Sequence, residues 1–199
     1  RPQGQGLNDL YVRFYRMAEH QIAETTQRGI VCFISNYSWL DGLSHTGMRE
    51  RYLDAFDQII IDNLHGDRII SEYAPDGRSS ETVFAIRGNS VGIRIGTAIA
   101  TLIRKPGEST SSPRATLYYH DWNEARADER RQALLSSIKM GGVKLSSYQE
   151  VKPAVEIGLP FKPRVVGANY FAWAKLPELF PVSFPGVKTS HDDIVVAVD

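Results

Sequence analysis

Apolar positions along the chain follow two alternating periods. Leu10, Phe14, Met17, Ala18 and Ile22 recur at helical spacing, with Asn8 or Asp9 placed to cap the first turn. After Gly29 the run Ile30-Val31-Cys32-Phe33-Ile34 is continuously apolar, which suits a strand buried on both faces, as in a parallel sheet. Helical spacing returns over 47–56, where Met48, Tyr52, Leu53 and Phe56 share one side. Ile59-Ile60-Ile61 is then a second buried strand. Helix, strand, helix, strand is the order of an α/β layer fold.

The pattern loosens afterwards. Residues 65–82 are rich in His, Gly, Asp, Pro, Arg and Ser and predict a long surface loop, a kind of segment that is usually functional or mobile. Val83–Ile86 and the stretch 92–103 are strand candidates. With no helix between it and Ile59–Ile61, the later strand should return antiparallel beside its predecessor. The run from Lys105 to Pro113 is a break of Pro, Gly, Ser and Thr, and marks a boundary between 1–106 and 107–199. Beyond it, Thr116–Tyr119 predicts a short strand and 123–138 a charged amphipathic helix. Prolines at 153, 160, 163, 177, 181 and 185 preclude long regular elements, although 194–198 again has the pattern of a strand. The expected architecture is α/β, followed by an irregular α+β extension.

Composition narrows the function classes only a little. The 199 residues are 42% hydrophobic and 23% charged, as in an ordinary globular protein. No run reaches the roughly 18 apolar residues of a membrane span, and residues 1–6 have no apolar core of a signal peptide. A single cysteine, Cys32, allows neither an internal disulfide nor a cysteine-based zinc site, which fits a cytoplasmic location. Twenty-three basic and 23 acidic residues cancel, so global charge gives no footprint for nucleic acid. The histidines at 20, 45, 65, 120 and 191 lack metal-ligand spacing, and neither a Gly-x-Ser-x-Gly elbow nor a Gly-x-x-x-x-Gly-Lys phosphate loop is present.

A succession of short segments says more. Asn8-Asp9-Leu10-Tyr11 with Phe14, then Gly29–Ile34 leading into Ser38-Trp39-Leu40, then Ile61-Asp62-Asn63-Leu64-His65-Gly66-Asp67 come in order. Glu81-Thr82-Val83-Phe84 through Gly92–Ile99, Leu117-Tyr118-Tyr119-His120-Asp121-Trp122, Trp173–Pro181 and Gly186–Asp193 follow. This order resembles the post-catalytic half of adenine-specific DNA methyltransferases, above all the single-polypeptide restriction–modification enzymes of types ISP and IIG. Two positions depart from that family: Asn123 stands where glycine is usual, and the following helix carries arginines where lysine is common.

The resemblance implies an incomplete Rossmann-like methyltransferase sheet with an antiparallel last strand over 1–106. It implies a linker and the start of a target recognition region over 107–199. The family's Asn-Pro-Pro-Tyr signature and glycine-rich cofactor turn are expected upstream of Arg1. The chain is thus expected to be inactive by itself, with double-stranded DNA and the missing N-terminal half of the domain as partners and S-adenosylmethionine as the cofactor of the complete enzyme. An alternative is a DNA-binding specificity module without catalysis.

Site roles follow from the resemblance, each beside a plainer reading. Adenine must leave the stack before its amine is methylated, and Phe84 would stack on the extruded base or else be core. Phe14 would lie against the cofactor adenine, or be core. Asn8 and Asp9 would bond to cofactor, or cap the helix. Asn36, Tyr37, Ser38 and Trp39 follow a strand and would line the cleft, since ligands of open α/β sheets sit beyond the carboxyl ends of strands; Trp39 would otherwise plug the core. Arg68 and Arg78 in the long loop would contact phosphates, or be solvated.

Overall fold

The computed structural model describes residues 7–85, 93–107, 114–167 and 169–182. Contacts divide the chain into two compact units, Arg1–Arg164 and Val165–Asp199. The first unit carries every described strand. Its elements are α1 (Leu10–Glu19), β1 (Gly29–Asn36), α2 (Thr46–Ala55), β2 (Gln58–Asn63), β3 (Thr97–Arg104), β4 (Thr116–Asp121), α3 (Ala127–Lys139) and β5 (Gln149–Val151).

The five strands form one mixed sheet in the order β1-β3-β2-β4-β5. β3 runs antiparallel to both β1 and β2, whereas β2 and β4 are parallel. The expected antiparallel return of β3 beside β2 is therefore present, and the α/β class holds. β4 and β5, which follow the break at 105–113, continue this sheet, and compactness divides the chain at Arg164/Val165 instead. Val83–Ile86, expected as a strand, is no strand over its described part: Ala85 N–H donates to Thr82 O at 2.9 Å and closes a turn.

Alternation sorts each strand's residues onto two faces. Val31, Ala98, Ala100, Leu102, Ile59, Ile61, Leu117 and Tyr119 point into the main core. There they meet Tyr15, Trp39, Tyr52, Phe56 and Phe161, each nearly inaccessible. The Trp39 ring lies 5.3 Å from Tyr15, 5.9 Å from Tyr52 and 5.7 Å from Phe161, and offset or edge contacts of this kind suit aromatic quadrupoles. Each such side chain contributes about 1.5–3 kcal/mol by burial.

α1 meets the expected orientation only in part: Ala18 and Ile22 of the expected stripe pack on the core beside Tyr11 and Tyr15, but Leu10, Phe14 and Met17 face outward at 52–65% exposure. Two apolar stripes interleave on this helix, and the aromatic one wins the core. Asp9 occupies the N-cap position, but its carboxylate accepts no cap bond from the first turn. The helix continues as a π-helix over His20–Thr26. β1 also departs from expectation, being an edge strand among the described residues, with Ile30, Cys32 and Ile34 exposed on the second face of the sheet.

The second unit holds a one-turn helix at Tyr170–Ala172 and α4 (Leu176–Leu179). Tyr170 gathers Phe171 and Trp173 at centroid distances of 5.4 and 5.9 Å. The strand expected over 194–198 lies outside the described residues.

Candidate functional site

Because β1, β2 and β4 all run the same way, their carboxyl ends share one edge of the sheet. Parallel pairing sets Asn63 opposite Asp121 at that edge. The Asn63 amide donates to Tyr119 Oη at 2.8 Å and to Asp121 Oδ1 at 3.1 Å, and Tyr119 donates to Asp121 Oδ1 at 2.7 Å. His65, two residues beyond β2, enters this network between two carboxylates. Its Nε2 is 2.9 Å from Asp121 and its Nδ1 is 2.7 Å from Glu72.

The Glu72 carboxylate also accepts the backbone N–H groups of Gly66 and Asp67, both at 2.8 Å. Asp67 Oδ1 in turn accepts from Ile69 and Ile70. Residues 65–72 thus close into a turn around the half-buried Glu72 carboxylate. Burial works against charge on His65, yet the bonds to Asp121 and Glu72 outweigh it and raise its pKa above 6.5. For Glu72 and Asp121, burial favours the neutral acid, but the His65 partner and the other donors prevail and lower both values. An imidazolium held by two carboxylates is the state these shifts favour.

This turn starts the long loop, and Gly66 is where the loop closes on itself. Its φ of +92° is left-handed, and a Cβ there would lie 2.3 Å from Thr82 Cα, so only glycine allows the two backbones to meet. Thr82 opens the turn that carries Phe84. Val83 goes inward to Leu64 and Trp122 in a small second core, while Phe84 is 44% exposed and has no aromatic partner among the described residues.

α3 grips this segment from outside. Arg130, fully buried, donates to the carbonyls of Glu81, Trp122 (3.2 Å) and Glu124 and to Ser80 Oγ (3.2 Å). Glu81 accepts from Arg126 at 2.6 Å and from the Ala127 N–H at 3.1 Å, at the start of α3. Arg131 donates from Nε to Val83 O at 2.8 Å and from Nη2 to Ala85 O at 2.5 Å, on either side of Phe84.

The other residues expected at a site are placed as follows. Asn36 Oδ1 accepts the Ser38 N–H at 2.8 Å and both stand half-buried at the strand ends. Tyr37 is buried there: its ring packs where a Cβ on Gly96 would intrude, and Lys162 Nζ lies 3.6 Å above its centre. Burial, then the acids Glu72 and Asp67, push the Tyr37 hydroxyl far above its usual pKa. Trp39 is 0% exposed, so it plugs the core and does not line the cleft; the surrounding Tyr15, Tyr52 and Phe161 leave it no path to solvent.

Asn8 and Asp9 just before α1, and Phe14 on it, are exposed, and among the described residues no contact joins them to Phe84. Arg68 is exposed in the loop. The Arg78 guanidinium is committed to Asp76 at 2.7 Å and to both oxygens of Glu129 at 2.8 and 2.9 Å.

Beside α1 and its π-helical extension, an apolar groove of about 1130 Å³ runs along β1, with Val12, Met17, Ile22, Ile30 and Phe33 among its walls and Arg13 and Arg16 at its rim. Neither it nor the other described cavities are lined by Asn8, Asp9 or Phe14. These three residues offer at most one wall and do not by themselves fit S-adenosylmethionine. No group of histidine, cysteine and acidic residues among the described residues can hold a metal.

No family model matches the chain, and no curated protein matches it. Solved structures do. A nuclease-deletion mutant of the type ISP restriction–modification enzyme LlaGI, in complex with a DNA substrate mimic, is similar over 84% of this chain with a TM-score of 0.64 and 23% identity. The ATP-dependent type ISP restriction–modification enzyme LlaBIII bound to DNA, and the DrdV–DNA complex, each match 79% of the chain with a TM-score of 0.59 and 24% identity. The chain shares the fold of a segment of these proteins. It spans only 10–14% of their length.

Sequence reasoning singled out Phe84 and the residues after β1, whereas the network of His65, Glu72 and Asp121 and the contacts of Arg130 and Arg131 emerge only from the structure. The acids and histidine are 56 residues apart in part, and only the in-register pairing of β2 with β4 unites them. The one available signal was the repeated spacing of Asn63/His65 and Tyr119/Asp121 at two strand ends.

Proposed function

We propose that this chain is a segment of a restriction–modification enzyme that methylates adenine in DNA, and that Phe84 stacks on the target base once it is extruded. The observation that carries this reading is an exposed aromatic ring on a turn held from both sides, beyond the carboxyl edge of the sheet. Stacking on such a ring is worth about 1–3 kcal/mol per base, and a turn held in advance avoids an ordering cost when the base arrives. The likeness to DNA-bound type ISP restriction–modification enzymes supports the restriction–modification part of this reading.

In the complete enzyme S-adenosylmethionine supplies the methyl group, and the residues that enclose it come from outside this chain. The outward stripe Leu10, Phe14, Met17 and the exposed Ile30 and Ile34 then form the seat for the missing N-terminal half of the domain. Such a protein works in the cytoplasm, beside the DNA it modifies. Among the described residues, no helix is long and apolar enough to cross a membrane.

The test joins this chain to its upstream part and measures methyl transfer to duplex DNA. Phe84→Ala should lower the rate at least about tenfold, the equivalent of losing one stacked base, with circular dichroism unchanged. The 199-residue chain alone should not bind labelled S-adenosylmethionine detectably. Tight binding by the chain alone, or full activity in Phe84→Ala, overturns the reading. Sequence-specific duplex binding by the chain without any transferase activity after rejoining would instead favour a specificity module.

A further inference from the structure

The assignment of Phe84 leaves open what keeps its ring presented. The ring is half-exposed, and the turn beneath it has modest internal bonding: one backbone bond from Ala85 N–H to Thr82 O, and a long 3.4 Å contact from Phe84 N–H to Thr82 Oγ1. The carbonyls immediately before and after Phe84 both point to the same guanidinium. Arg131 spends two parallel donors on them, Nε on Val83 O at 2.8 Å and Nη2 on Ala85 O at 2.5 Å. A planar fork with fixed donor separation can bridge carbonyls on either side of one residue, whereas an ammonium is a point charge that satisfies one at a time.

Arg131 stands on an exposed position of α3, one residue beyond the buried Arg130. Arg130 ties Ser80 and Glu81 to the helix, so the helix itself is already fixed on the preceding segment. What Arg131 adds is confined to residues 83–85. A side chain that packs no core and bonds only to the two carbonyls flanking an exposed ring is placed to orient that ring.

We infer that Arg131 is a positioning residue, holding the Phe84 turn in the conformation that presents the ring to an extruded base. The inference rests on the stacking role proposed for Phe84. It also gives the helix after the 105–113 break a part in base capture, since the holder lies on one side of that break and the held ring on the other.

Two measurements test it. In the 199-residue chain, Arg131→Met should speed hydrogen exchange of the amides at 83–85 about tenfold, the scale of one lost charge-assisted bond, with the melting temperature and exchange elsewhere unchanged. Arg131→Lys should behave like Arg131→Met, because charge without the fork does not bridge. Unchanged exchange at 83–85 in both variants overturns the inference, whatever Phe84 does.

In the chain rejoined to its upstream part, fluorescence of a 2-aminopurine placed at the target adenine reports extrusion. Arg131→Met should reduce that signal and kcat about tenfold with duplex affinity retained. The Phe84→Ala/Arg131→Met pair should be no worse than Phe84→Ala alone, because the clamp acts only through the ring. Additive losses would mean that Arg131 acts elsewhere and would overturn the positioning role. A Phe84→Ala variant with normal extrusion and rate would sink the stacking reading itself, an outcome distinguishable from failure of the clamp by the exchange result.

Discussion

The carboxyl ends of β2 and β4 and the face around β1 differ in how completely their chemistry is closed. At the carboxyl ends of β2 and β4, nearly every donor meets an acceptor: His65 sits between two acids, Glu72 takes three donors, and Arg130 and Arg131 cover carbonyls that would otherwise be bare. Around α1 and β1, apolar side chains of a size normally buried stand in the open. Closed polar networks specify one arrangement because each unpaired member is costly. An open apolar face of this extent marks a place for a partner. On the function proposed above, the closed side would serve the chain's own chemistry and the open side would receive the upstream half.

The largest expected effect comes from a second closed polar cluster, on α2. Arg49 on α2 is fully buried without a carboxylate at hydrogen-bond distance, and donates to Trp39 O, Gly42 O, Gly158 O and Leu159 O at 2.5–2.9 Å. Burial pulls its pKa down to about 10, so it remains charged at neutral pH. Arg49→Ala should destabilise by about 3–5 kcal/mol, because buried carbonyls lose their donors and a large cavity opens; chemical denaturation would measure it, and a loss under about 1 kcal/mol would show those carbonyls find other partners.

Next in size comes a pH effect from His65. Its folded pKa is raised above the unfolded value of 6.5, so its contribution is complete below that value and fades as pH rises through the folded one. Glu72 and Asp121 have lowered values, and their contribution is present above 4.5 and 3.8 and fades as pH falls. Melting temperature should therefore peak between about pH 4.5 and 6.5. His65→Gln should flatten the alkaline limb; an alkaline limb of the same slope in that variant would assign it to another group.

The smallest effect belongs on the open side. Ile34→Lys should change stability of the chain by no more than about 1 kcal/mol, since the side chain is already half-exposed. The same change should abolish restoration of activity by the upstream part. A large loss of stability would show that the face is covered within this chain.

Much of the first unit was legible because period alone reports which way a residue points. α2, β2, β3, β4 and α3 all fall on segments whose apolar spacing anticipates them. The failures have particular causes. Val83-Phe84-Ala85 is apolar like a strand, yet Val83 turns inward, Phe84 outward, and an arginine 47 residues beyond Phe84 holds the carbonyls a neighbouring strand would have held. On α1, Leu10, Phe14 and Met17 and the row Tyr11, Tyr15, Ala18 both satisfy helical spacing, and spacing cannot choose between two apolar rows. The His65 network was not legible, because strand register creates it and no local pattern encodes register across 56 residues.

The outer edge of β1 carries a practical consequence. β1 is eight residues long, carries the continuous apolar run Ile30–Ile34, and pairs only with β3 among the described residues. Unpaired amides in a row with apolar side chains are a template for any extended chain. The chain purified by itself should therefore associate along β1 as its concentration rises, and sedimentation velocity across a dilution series would detect it.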